Sequence, residues 1–169
     1  PNGINHCGSF RDVYVPLQSH PNREFRKYYK SIGTYLGVVM RHGYPQNLPF
    51  APLVWKYLAD EVILESDIVM IDSRLGDLFN SIRNAKDDPD FVQHFNLQWS
   101  FIAWDSSVVT LPAFANRGLV NGSNVEEFIN ATIQFRIDTI INPLTQIREG
   151  FYENIGFNYH PLMSSSLLS

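Results

Sequence analysis

The sequence predicts a mainly α-helical α+β fold carrying one small β-hairpin. Three observations predict it. Apolar residues recur at helical spacing in several stretches, among them Ile32, Leu36 and Met40, then Leu75, Leu78, Phe79 and Ile82, then Phe128, Ile129, Ile133 and Ile140. One stretch changes period: Phe95, Leu97, Trp99 and Phe101 alternate with Asn96, Gln98 and Ser100, the signature of a half-buried strand. Finally, 44% hydrophobic and 14% aromatic residues over 169 positions suffice for one packed core.

The same composition narrows the function. Charged residues are only 18% and the net charge is -4, with no basic stripe, so no nucleic-acid partner is expected. No stretch of about 18 apolar residues spans a membrane, and no signal-peptide pattern opens the chain. A single cysteine, Cys7, excludes an internal disulfide and fits a reducing, cytoplasmic or nuclear compartment. The first residue is Pro1 rather than methionine, so a piece of a longer protein is expected. Phosphate-binding glycine loops, paired-histidine zinc motifs and Ser-His-Asp arrangements do not stand out, so no catalytic residue, cofactor or metal is assigned. His6 beside Cys7 lacks the further ligands a metal needs. Asn121-Gly122-Ser123 and Asn130-Ala131-Thr132 match the glycosylation pattern, but such matches arise often by chance.

Taken in order, residues 1–22 read as an N-terminal arm punctuated by glycine and proline, with Phe10, Val13, Tyr14, Val15 and Leu17 able to form a short strand or patch. A first helix spans 22–43, buried on most sides and capped by Asn22. Phe25, Tyr28, Tyr29, Ile32 and Leu36 form its buried stripe, and Arg23, Arg26, Lys27 and Lys30 its solvated face. Gly33 and Gly37 sit four apart on one face, which suits close approach of another backbone. Leu48-Pro49-Phe50-Ala51-Pro52 is an extended connector, because a residue before proline avoids helical angles. Pro52 opens a second helix over 52–60. Ser66 or Asp67 caps a short helical piece, and Asp72 or Ser73 starts the next. After the polar loop 84–90 come the aromatic strand, a turn at Asp105-Ser106-Ser107, and a partner strand from Val108 to Leu111. Ser123 or Asn124 caps the last long helix, which Pro143 kinks or ends before 144–155 continue helically. Leu162, Met163, Leu167 and Leu168 give the tail apolar contacts.

Four blocks in this order resemble the N-lobe of a HECT-type ubiquitin ligase. The first is Tyr29, Ile32-Gly33 and Leu36-Gly37, then Leu48-Pro49-Phe50 and Trp55-Lys56. The second runs from Asp67 to Phe79; the third is Leu97-x-Trp99-x-Phe101. The fourth is Val120-Asn121 to Asn124 with Phe128, followed by Arg148-x-Gly150-Phe151. Together they cover about residues 25–168. Asn121 stands where the family has threonine, Trp99 where it has leucine, and Thr132 where it tends to have an aromatic residue. The family's catalytic cysteine motif does not occur in this sequence.

The resemblance implies a HECT N-lobe-like fold, with a large helical subdomain at about 1–60 and 120–169 and a small one at about 61–119. It implies a full-length ubiquitin-protein transferase in which this chain recruits a ubiquitin-charged conjugating enzyme. Ubiquitin then passes to a ligase cysteine outside the chain and on to a substrate lysine. The chain alone is expected to be inactive, with protein substrates bound by regions outside it. The recruiting groove carries over onto Ile71, Leu75, Leu97, Trp99, Phe128 and Thr132. Read from the residues alone, Leu97 and Trp99 suit a groove and a core equally, and Phe101 suits a core. Two other readings stay open: a non-enzymatic helical interaction module, and a hydrolase using Cys7.

Overall fold

A computed structural model describes residues 13–17, 23–43, 48–104, 107–114 and 116–155. Among them are six helices and one two-stranded sheet: α1 (Arg23–Arg41), α2 (Pro52–Leu58), α3 (Glu65–Ile71), α4 (Ser73–Asn84), α5 (Phe91–Phe95), β1 (Ser100–Ile102), β2 (Val108–Thr110) and α6 (Val125–Ile155). Contacts divide the described residues into two units, one holding residues 68–137 and the other 13–67 with 138–155.

In the second unit α1 packs on the C-terminal half of α6 through glycine. A Cβ on Gly33 would overlap the carbonyl oxygen of Ile147, and one on Gly37 would lie 2.5 Å from that of Phe151. A Cβ on Gly150 would overlap the carbonyl oxygen of Lys30. The helix backbones therefore approach without intervening side chains, as the Gly33–Gly37 spacing predicts. Burial of α1 is confined to that side: Leu36 is 5% exposed, whereas Tyr28 is 65%, Tyr35 49% and Val38 40% exposed. Tyr28 thus leaves the expected buried stripe, and α1 is not buried on most sides. Asn22 and the side chain of Phe25 lie outside what is described.

The extended connector holds the arm. Tyr14 and Phe50 form an isolated parallel bridge, with Tyr14 N–H donating to Pro49 and Ala51 N–H donating back to Tyr14. Pro52 sits in the first turn of α2, which buries Leu53, Val54, Trp55 and Leu58. At its end Glu61 N–H bonds the Lys56 carbonyl and Asp60 N–H that of Tyr57, while Asp60 takes the left-handed φ of 63°. That position normally favours glycine; here the Asp60 carboxylate pairs with Arg148 at 2.7 Å. Arg148 lies within 5.6 Å of both the Tyr57 and Tyr152 rings. Burial pulls its pKa down, but the hydrogen bond and charge of Asp60 raise it above the ordinary value.

The expected cap of α3 shifts. The helix starts at Glu65, so Ser66 and Asp67 lie inside it. Asp67 instead reaches back to the Leu64 N–H and takes the Lys56 ammonium at 2.7 Å. Its carboxylate has two nearby donors to satisfy, one of them a cation in a half-buried setting.

In the first unit Asp72 caps α4 by accepting from Leu75 N–H, as expected. The aromatic strand is shorter than its alternation predicts. Residues 91–95 coil into α5, ended by Asn96 at the left-handed φ of 43°. Strand pairing begins only at Ser100, in antiparallel register Ser100–Thr110, Phe101–Val109 and Ile102–Val108. The alternation survives in burial rather than in hydrogen bonding: Trp99 and Phe101 are buried, while Gln98 and Ile102 are exposed. The turn residues 105 and 106 lie outside the described set. A short 3-10 turn over Gly122–Asn124 precedes α6, and Asn121, not Ser123 or Asn124, is its cap. Asn121 accepts from Ser123 N–H while Asn124 accepts from Asn121 N–H, a reciprocal capping box.

Pro143 neither ends nor divides α6, which runs unbroken to Ile155. Proline removes one helical hydrogen bond and crowds the preceding turn, typically costing about 3 kcal/mol. The side chains around it offset that cost, since Ile140, Leu144 and Ile147 are all fully buried. The tail residues Leu162, Met163, Leu167 and Leu168 lie outside the described set.

Candidate functional site

The six residues carried over from the resemblance lie in the first unit, and five are buried. Ile71 is 2% exposed, Leu75 6%, Trp99 3%, Phe128 1% and Thr132 0%. Leu97 is half-buried. The Trp99 and Phe128 rings meet edge to face at 6.0 Å, and the Thr132 hydroxyl donates to the Phe128 carbonyl one turn back. The Leu97 carbonyl accepts from Val120 N–H, which ties the segment ahead of β1 to the segment leading into α6. Phe101 is buried and packs edge to face on Phe135, as expected of a core residue.

Of the six, Trp99 lines a cleft of about 270 Å³. One wall is Trp99 stacked on Phe114 at 4.3 Å, nearly parallel. The Arg117 guanidinium lies 4.9 Å from the Phe114 ring centre and 5.5 Å from that of Trp99, and pairs with Glu127 at 2.7 Å. Gln98, Ser100 and Thr110 add polar groups and Leu119 an apolar rim. Trp99 Nε1–H is buried without a hydrogen-bond partner among the described residues. Phe114 and Arg117 belong to a loop in which the sequence shows no periodicity, so pattern alone does not reveal them.

Arg136 also escapes the pattern reading. It is 2% exposed, yet its guanidinium donates to the Asp72 carboxylate at 3.1 Å and the Ile102 carbonyl at 2.5 Å. It lies 4.2 Å from the Trp104 ring centre and 5.3 Å from that of Phe101. One side chain thus joins the cap of α4, the end of β1 and α6. The available signal is arithmetic: Ile129, Thr132, Ile133, Arg136 and Ile140 share one helical face, so an arginine there is buried among apolar neighbours.

The remaining charges are peripheral. Arg83 forks onto Glu126, and that hydrogen bond holds the Glu126 carboxyl below its ordinary range. Asp88 is lowered by the Asp90 N–H and then by His94. Among the described residues no cluster of three or more histidine, cysteine, aspartate or glutamate side chains could hold a metal. No described helix is long and apolar enough to cross a membrane.

Comparison with known proteins fixes the family. The family profile described as HECT-domain (ubiquitin-transferase) matches residues 3–169. The chain is 22% identical over 151 residues to the human E3 ubiquitin-protein ligase HERC2, covering 89% of this chain. The mouse HERC2 ligase matches equally, at 22% over 151 residues. The chain spans only 3% of the length of these relatives. With a helical fold, a small hairpin and a profile match along nearly its whole length, this chain belongs to the HECT-domain family of ubiquitin transferases.

Proposed function

We propose that the chain is a non-covalent part of a HECT ubiquitin transferase, and that it recruits the ubiquitin-charged conjugating enzyme. Both transfers of the family chemistry are acyl transfers from a thioester. The nucleophilic cysteine lies outside this chain, whose one cysteine, Cys7, sits in no catalytic motif. Recruitment is then a proximity function: it raises the effective concentration of one thiol near the other's thioester.

The cleft beside Leu97 and Trp99 carries the reading. It combines a stacked aromatic wall, a guanidinium and an apolar rim at Leu119, next to the exposed pair Ile102 and Val108. Such an arrangement suits a small, transient interface with a central aromatic anchor. Leu97 and the cleft rim would touch the enzyme, with Phe128 backing Trp99 edge to face, while Ile71, Leu75 and Thr132 are buried in the same unit.

The burial of five of the six carried-over residues favours a second reading. In it the chain is scaffold alone, and the conjugating enzyme docks on residues outside it. A heteronuclear NMR titration of the labelled chain with ubiquitin-conjugating enzymes separates the two. Recruitment by the cleft predicts shifts at 97–100, 110 and 114–119 that vanish in Leu97→Arg. A folded chain without shifts for any conjugating enzyme selects the scaffold reading.

A further inference from the structure

The solvent side of α1 carries a regular seam. Tyr28, Ser31, Tyr35 and Val38 follow one another at intervals of three, four and three residues. That is the spacing of a helix-packing seam. Tyr28 is 65% exposed, Tyr35 49% and Val38 40%, a large apolar display for one helix face. Gly33, Leu36 and Gly37 occupy the buried side, so α1 is already anchored and rigid behind its seam.

The flank of the seam is basic. Lys27, Thr34 and Arg41 lie seven residues apart along one edge. Lys27 and Arg41 are exposed, and neither has an ion-pair partner among the described residues. On the opposite edge Ile32 and Val39 are half-buried and uncharged. The α1 segment as a whole carries five basic residues against one acid, within a chain of net charge -4.

We propose that this face of α1 docks an amphipathic α-helix of another protein, with an apolar seam set against Tyr28, Tyr35 and Val38 and acidic residues opposite Lys27 and Arg41. A partner helix can lie along residues spaced three and four apart on α1, and the one-sided charge of Lys27 and Arg41 calls for acidic flanks in a single register. This face belongs to the unit of residues 13–67 and 138–155, whereas the cleft residues belong to the unit of residues 68–137.

Fluorescence anisotropy of the whole chain with two synthetic helical peptides tests it. Each has leucine at its seam positions over roughly four heptads; one carries glutamate on its flanks, the other lysine. The acidic peptide is expected to bind about tenfold more tightly than its basic twin at physiological salt. Lys27→Glu with Arg41→Glu should invert the preference, and Tyr28→Ala with Val38→Ala should weaken binding about tenfold. All four positions are exposed, so circular dichroism should show an unchanged fold. Equal binding of the two peptides, no saturable binding of either, or a preference that survives charge reversal would overturn the proposal. So would concentration-dependent dimerisation lost in Tyr28→Ala, which would make the face a contact between copies of this chain.

Discussion

Gly33 of α1 and Gly150 of α6 occupy reciprocal positions in one helix crossing. The space a Cβ would take on Gly33 is filled by the Ile147 carbonyl, and the space beside Gly150 by the Lys30 carbonyl. Both obstacles are backbone atoms, which cannot swing aside as a flexible side chain can. Gly33→Ala or Gly150→Ala should therefore cost about 3 kcal/mol through overpacking, well above the roughly 1 kcal/mol of helix propensity that alanine returns. Gly118→Ala, with nothing within 4 Å of its Cβ site, should stay near neutral. Urea denaturation of the three variants measures the contrast, and a mild Gly33→Ala would mean the helices can separate without loss.

Asp72 serves two partners, the Leu75 N–H and the buried Arg136 guanidinium. Removing one partner of a buried pair costs more than the pair contributes, because the other charge stays desolvated. Asp72→Ala should lose about 3 kcal/mol, combining the lost cap with a stranded cation. The double variant Asp72→Ala with Arg136→Met should recover part of that loss. A thermodynamic cycle over the two positions gives the coupling directly, and additive losses would show that they act separately.

Asp60 holds a left-handed conformation that usually favours glycine. Asp60→Gly relieves about 1 kcal/mol of backbone cost but gives up an exposed ion pair worth about the same or less. The two should nearly cancel, leaving stability within about 0.5 kcal/mol of the parent. Asp60→Val should lose clearly more, since a β-branched side chain tolerates that φ poorly. Thermal melting ranks the three, and a parent-like valine variant would contradict the account.

Acid should weaken the chain in a definite window. The Glu126 carboxyl lies below its ordinary 4.5 because of the Arg83 hydrogen bond, and Asp88 below 3.8 because of the Asp90 N–H and His94. For a depressed carboxyl the stabilisation is complete above the unfolded-state pKa and is lost as pH falls through the lower folded value. Denaturation midpoints should thus hold above about pH 5 and fall below pH 4. Arg83→Ala should flatten part of that fall, and an unchanged pH profile would rule out the Glu126 contribution.

The chain alone should form no thioester. Incubated with charged conjugating enzyme, it should show no reductant-sensitive ubiquitin adduct on a non-reducing gel, and Cys7→Ser should change nothing. An adduct lost in Cys7→Ser would overturn the assignment of the nucleophile to a region outside this chain.

Much of the fold is legible where one residue type has one physical use. Gly33 and Gly37 announce a close crossing, Pro52 a helix start and Asp72-Ser73 another, and each does that in the structure, with Asp72 the cap. Patterns with two uses are harder to read. Alternation at Phe95 to Phe101 describes which side chains are buried, but pairing needs a neighbour, and β2 reaches only to Ser100. Tyr28 fits the apolar spacing of α1 yet faces solvent, because an amphipathic ring can sit on either side of a helix. Trp99 illustrates the limit at the candidate site: sequence marks a large aromatic residue, and only the structure shows it 3% exposed and stacked on Phe114 at the cleft.

The division of the chain has a consequence for biosynthesis. Among the described residues, 68–137 form one continuous unit, whereas α1 must wait for the far half of α6 to supply Ile147, Gly150 and Phe151, and α2 for Thr145 and Tyr152. On the ribosome the inner unit can mature as soon as it emerges, while the glycine face of α1 stays without its mate until nearly the whole described chain has been made. That interval is when α1 and α2 are most exposed to off-pathway association, and slow loop closure across the intervening unit lengthens it. Stalled nascent chains ending near 137 should therefore show a protease-resistant inner unit and a cleavable leading segment, and chains extended beyond 155 should protect both.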